Sequence, residues 1–145
     1  MNIVEVIGGT KKQRLLTEKV VVFCIKEMMP RMRTLDITVE LKSKLDGDVD
    51  GYCWEGENNR EHFIEICKKL KGDDFTTAVM HEMVHVKQQA RGEMKPMLKH
   101  SFITNNEPMM TAIEDEAYEK QEILLKKCNE DILQEILLKR CKNDN

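Results

Sequence analysis

Aromatic side chains are scarce in this sequence, at 5% of residues with a single Trp. A surface that stacks successive bases needs more of them, so binding of single-stranded nucleic acid is not expected. Basic charge is not in excess either: 23 Lys and Arg stand against 26 Asp and Glu, giving a net charge of −3. The two signs are interleaved along the chain, and the clustered basic face of a phosphate-binding domain is missing. The five cysteines, Cys24, Cys53, Cys67, Cys128 and Cys141, are odd in number and include no Cys-x-x-Cys pair. That argues against a disulfide framework or a zinc finger and for reduced thiols, with Cys24 and Cys67 expected in the core and the others at the surface. No stretch approaches the roughly 20 apolar residues of a membrane span, and no basic segment with an apolar core opens the chain. A cytosolic protein without membrane contact is expected.

With 34% charged and 41% hydrophobic residues, the 145-residue chain has the composition of one globular domain. A short β-branched start, Ile3 to Ile7, runs into Gly8-Gly9. Lys11 to Met29 then carries Leu16, Val20, Phe23 and Glu27 at helical spacing and stops at Pro30. Alternation at Leu35, Ile37, Val39 and Leu41 predicts a strand, and Gly51 to Glu55 and Glu61 to Lys69 are two more candidates. After the break at Gly72-Asp73-Asp74, a helix is predicted from Phe75 to Arg91, ending at Gly92. Pro108 suits the first turn of a further helix running through at least Lys127. In the tail, Gln121 to Cys128 recurs almost unchanged as Gln134 to Cys141, an offset of thirteen residues. We read one domain over 1–127 and a helical extension over 128–145.

The chemistry concentrates in His81-Glu82-Met83-Val84-His85, an H-E-x-x-H pattern inside a predicted helix. Residues four apart lie one turn up the same face, so both imidazoles can reach one metal ion. Glu82 sits on the flank of that face, where a carboxylate can take a proton from a water activated by zinc. Val79, Met83, Val86 and Ala90 fall on the opposite arc, so one side of the helix packs and the other faces a cleft.

A catalytic zinc site of this kind has a third protein ligand, and two residues compete for the role. Glu114 lies close to the apolar arc of Met110, Ile113, Ala117 and Leu124, from which it can lean toward the metal, whereas Asp115 and Glu119 point away. Tyr118, one turn on, is then a candidate hydrogen-bond donor to a ligand or to the reacting carbonyl. His100 is the rival, fifteen residues after His85 in a polar, irregular stretch. His62, in a strand-like segment, reads as a surface residue.

His81 to Gln88 followed by Glu114-Asp115-Glu116-Ala117-Tyr118-Glu119, together with the upstream Gly51-Tyr52-Cys53 and Arg60 to Ile66, resembles the small zincin-type metallopeptidases. The resemblance covers residues 34–120 and is to minimal gluzincins of the SprT-like and ImmA/IrrE-like kind, many of them encoded by phages or viruses. It implies an α+β fold: an N-terminal helix, a small mostly antiparallel sheet, the H-E-x-x-H helix, a following helix with the third ligand, and a C-terminal helical extension. It also implies zinc as cofactor, a protein or peptide as substrate, and a third ligand from the Glu of a Glu-x-x-x-Asp or Glu-x-x-x-Asn segment, which falls on Glu114. Tyr118 stands in place of that Asp or Asn. The SprT-like DNA-repair peptidases instead resemble the His100 arrangement. A metzincin would require Gly and His where Gln88 and Arg91 stand.

A second metal pattern overlaps the sheet region. Asp46, Asp48 and Asp50 with Gly51 and Glu57 satisfy the calcium-loop spacing of an EF-hand. An EF-hand needs a helix on each side, and strand-like residues precede this one, so an acidic hairpin turn is expected instead. The expected function is hydrolysis of a peptide bond, with the substrate added to an exposed sheet edge along Glu61 to Cys67. The alternative is a non-catalytic regulatory protein in which the metal is a staple.

Overall fold

The computed structural model describes residues 1–93 and the backbone of 107–143, with side chains of the last helix described over 112–132. The chain is α+β. Strand β1 (Ile3–Gly8) leads into helix α1 (Lys11–Met28), then β2 (Asp36–Lys42), β3 (Gly51–Glu55) and β4 (Glu61–Cys67). Two further helices follow, α2 (Asp73–Ala90) and α3 (Glu107–Asn143), and no described helix is long and apolar enough to cross a membrane. The strand order is β1-β2-β4-β3, with β1 and β4 both parallel to β2 and only β3 antiparallel, to β4.

The sheet is therefore mixed, not mostly antiparallel, and it does not follow an N-terminal helix but begins before it. The reason lies in α1, which carries the chain back over the sheet so that β1 and β2 run the same way. A one-residue signal marks this crossover: Gly8 has φ +83°, and a Cβ there would sit 2.4 Å from the Leu41 carbonyl oxygen across the β1–β2 pair. Thr10 and Gln13 then close a capping box at the start of α1.

Between β2 and β3, residues 43–50 do not form a hairpin. They pass a vacant strand position that β4 fills, so β4 is interior and β3 is an edge strand, as β1 is on the opposite side. The expected peptide-binding edge along Glu61 to Cys67 is thus paired on both sides; among the described residues the strands paired on one side only are β1 and β3, and of these β3, Gly51–Glu55, is the one next to β4. The calcium-loop pattern falls on a 3₁₀ turn at Asp46–Asp48 between two strands, without the flanking helices of an EF-hand.

Burial alternates along β2 and β4, with Ile37, Val39, Leu41, Ile64 and Ile66 on the covered face. Helices α1 and α2 lie on that face, contributing Val20, Val21 and Cys24 from one and Val79, Met80, Met83 and Val86 from the other. Each such side chain contributes roughly 1.5–3 kcal/mol on burial. Helix α3 lies across α2 and seats Ile113, Ala117, Leu124 and Cys128 against it and α1. Cys128 is thus buried beside Cys24 rather than exposed, and Cys67, expected in the core, is half-buried. Burial also raises the Cys24 thiol, as does the nearby Cys128.

Candidate metal centre

Helix α2 begins at Asp73, two residues earlier than the sequence suggests, with Gly72 as its cap and both aspartates in the first turn. Its apolar arc is buried as the spacing requires: Val79, Met83 and Val86 are fully covered, while His81, half-buried, and His85, buried, line a cavity. Their rings lie 4.9 Å apart, centroid to centroid, and nearly perpendicular. Helix α3 brings Glu114 to them. His81 Nε2 is 3.1 Å from Glu114 Oε2, and His85 Nε2 is 3.0 Å from Glu114 Oε1.

Hydrogen bonding fixes which face of His85 carries the lone pair. The Gln88 amide nitrogen donates to the Ile113 carbonyl at 3.1 Å and to Glu116 Oε1 at 2.9 Å, so its oxygen faces His85 Nδ1, 2.8 Å away. Nδ1 of His85 must then carry the hydrogen. Gln121 Oε1 holds His81 Nδ1 in the same way at 2.8 Å. Each ring, when neutral with its hydrogen on Nδ1, presents the lone pair of Nε2 to the Glu114 carboxylate, acceptor against acceptor. One metal ion shared by all three groups satisfies this arrangement, because each of the three then directs a lone pair at it. Ligands about 2.1 Å from a tetrahedral ion lie roughly 3.4 Å apart, close to the separations found. Among the described residues, His81, His85 and Glu114 form the one group of His, Cys, Asp and Glu side chains that can hold a metal ion. Asp46, Asp48, Asp50 and Glu57 form no such group.

Glu82 lies beside this centre and is buried. Burial, then the charge of Glu114, pushes its carboxyl up to about 8. Gly51, the first residue of β3, makes room for it: a Cβ there would be 2.9 Å from Glu82 Oε1 and 3.0 Å from its Cγ. The Tyr118 ring stands 4.7 Å from that of His81, and its side chain is exposed at the rim of the same cavity. That cavity, about 970 Å³, runs between β3, α2 and α3.

Of the residues singled out in the sequence, His81, Glu82, His85, Glu114 and Tyr118 come together here. His100 lies outside the described residues. His62 is not a surface residue: it is fully buried, with Nδ1 2.9 Å from Gln89 Oε1 and Nε2 2.8 Å from the Asn59 carbonyl. Sequence reasoning missed Gln88, Gln121 and Gly51. Gln88 is one turn beyond His85, a spacing that permits the contact, but nothing in the sequence distinguishes it from an exposed amide.

Behind Gln88 a charged cluster holds α2 to α3. Lys87 Nζ reaches Glu93 at 2.8 Å and Glu116 at 3.4 Å, and Lys120 pairs with Glu116 at 3.5 Å. Burial would raise the Glu116 carboxyl, but the Gln88 amide and the two ammonium groups outweigh it and hold it below its ordinary value. No family model matches the chain, and neither do any curated protein or any solved structure.

Proposed function

We propose that this protein is a zinc-dependent peptidase of the minimal gluzincin kind, with His81, His85 and Glu114 as metal ligands and Glu82 as general base. The observation that carries the reading is the convergence of two imidazole Nε2 atoms on one carboxylate, with both Nδ1 atoms already held by amide oxygens. Two His and one Glu with a further position open is the donor set of catalytic zinc, and a carboxylate on the flank has no use in a purely structural site.

Zinc bound there supplies Lewis acidity, polarising a substrate carbonyl and acidifying water. The chain's own residues do the rest. An extended peptide pairs with the side of β3 that has no strand partner among the described residues; β3 begins at Gly51 against Glu82, so the backbone of the substrate is held at a fixed distance from the base. Glu82 takes a proton from water and returns it to the departing amine nitrogen. The Tyr118 hydroxyl, at the rim beside His81, donates to the oxygen on which negative charge develops.

The test is zinc content and cleavage of unfolded protein, compared between the wild type and Glu82→Gln. Zinc kept with cleavage abolished supports the enzyme. No cleavage by either protein across a broad peptide library removes it and leaves a metal-stapled binding protein. The third ligand is tested by zinc affinity in Glu114→Ala and His100→Ala: loss in the first alone assigns Glu114, and loss in the second alone assigns His100.

A further inference from the structure

The cavity that contains the metal centre is lined by carboxylates and, among the described residues, by no Lys or Arg. Asp48 and Asp50 stand at the entry to β3, Asp73 and Asp74 in the first turn of α2, and Glu122 on α3. With Glu82 and Glu114 these make seven acidic groups around one cleft. The whole chain carries only −3, so the remainder of the molecule is net positive.

The five rim carboxylates are exposed, and none takes part in the ion pairs found among the described residues, whose acids are Glu27, Glu65, Glu93, Glu114 and Glu116. Elsewhere in the protein a lysine is commonly placed against an acid, as at Lys42–Glu65 and Lys127–Glu27. The dipole of α2 accounts for acidic residues at positions 73 and 74, but it does not account for Asp48, Asp50 or Glu122, which belong to other elements. A separate observation marks the cleft as built for a ligand. Glu82 is 6% exposed, lines the cavity, and has no hydrogen-bond or ion-pair partner among the described residues.

We propose that the cleft selects cationic peptide segments, with Asp48, Asp50, Asp73, Asp74 and Glu122 recognising Lys or Arg side chains on either side of the reacting bond. This rests on the peptidase reading given above. From Asp74 to His81 is seven residues of helix, about 10 Å. An extended chain covers that distance in about three residues, so the favoured basic residues lie about that far from the cleaved bond. The same distance is comparable to the screening length at moderate salt, which makes the selectivity dependent on ionic strength. Charge concentrated in a low-dielectric cleft also raises the rate of encounter with a cationic partner.

The experiment uses one extended Lys-rich peptide and the same peptide with every lysine acetylated, so that charge changes and sequence does not. Binding is measured by fluorescence anisotropy on zinc-loaded Glu82→Gln protein, and cleavage on the wild type. The free-amine peptide is expected to bind about tenfold more tightly than the acetylated one at low salt, an advantage that collapses near 1 M salt. Replacing Asp48, Asp50, Asp73 and Asp74 together by Asn is expected to abolish the difference while zinc content stays near that of the parent and the melting temperature falls by only a few degrees, from loss of the two acids in the first turn of α2. Equal binding of the two peptides, or a preference that survives the four substitutions, overturns the proposal. The two readings fail separately. Cleavage of both peptides with equal kcat/KM and equal affinity keeps the peptidase and removes the charge selectivity. A charge-dependent affinity without any cleavage keeps the selectivity and removes the peptidase.

Discussion

Gln88 holds His85 by its Nδ1 atom, 2.8 Å from the amide oxygen, and is itself locked from α3 by the Ile113 carbonyl and Glu116. The residue is buried and makes no other approach to the cleft, so its effect on the centre passes through the orientation and basicity of one imidazole. Gln88→Ala is expected to weaken zinc affinity about 10–100-fold, as loss of an outer partner does at comparable sites. Competition with a chromophoric chelator measures it. Gln121→Ala should cost less, because Gln121 is only half-buried and water can take its place at His81. Unchanged affinity in Gln88→Ala would remove the orienting role.

Gly51 and Glu82 share one space. The added Cβ of Gly51→Ala would press on the Glu82 carboxylate and come within 3.2 Å of the Glu65 carbonyl oxygen on β4. Strand β4 is paired on both sides and cannot give, so the carboxylate must move. Displacing a general base forfeits a contribution of about 10²–10⁴ in rate when complete, and a partial displacement a share of it. The expected result is a fall in kcat with zinc content unchanged. A variant with normal kcat would show that the base tolerates the shift or that it is not Glu82.

The buried Glu82 carboxyl makes the metal-free protein sensitive to pH. Its folded value of about 8 stands above the unfolded value of 4.5, so between the two the folded chain holds a proton that the unfolded chain has lost. The stability this proton provides is complete below about pH 4.5 and falls away as pH rises through about 8. Denaturant unfolding in chelator, followed from about pH 5 to about pH 8, should show a decline that is flatter in Glu82→Gln. Parallel curves for the two proteins would place the titration elsewhere. Added zinc is expected to flatten the wild-type curve too, since a cation beside the carboxylate favours its charged form.

How far the sequence reveals this architecture depends on whether a relationship is local. The spacing of His81, Glu82 and His85 is a property of one helix, and the apolar residues opposite them follow from the same period, so both are readable directly. Glu114 is readable because Ile113 and Ala117 mark the buried seam of α3 and leave it at the edge. The strand order is not local: nothing in Glu61–Cys67 distinguishes an interior strand from an edge, and its placement depends on β3 leaving a position open. His62 alternates as a strand residue should, but its burial is decided by Gln89, which arrives from α2. Gln88 and Gly51 likewise acquire their roles only when α3 and β3 close on α2.

Helix α3 brings Glu114 to the two imidazoles through its packing on α2. Ala117 is fully buried where α3 crosses α2, and Glu114 precedes it by three residues on the same helix. Ala117→Leu adds volume to a packed seam, which costs about 1–3 kcal/mol and is relieved by moving the two helices apart. Since His81 and His85 stand on one helix and Glu114 on the other, separation opens the site, and zinc affinity should fall although no ligand has changed. Met83→Ala is the control. It empties space in the core on the other side of α2, with a cost of about 2–5 kcal/mol, and leaves the α2–α3 seam intact. A folded protein destabilised in that way should keep its zinc affinity. If the two variants lose zinc equally, the centre responds to overall stability and the seam has no special role; if only Ala117→Leu loses it, the spacing of the two helices sets the site.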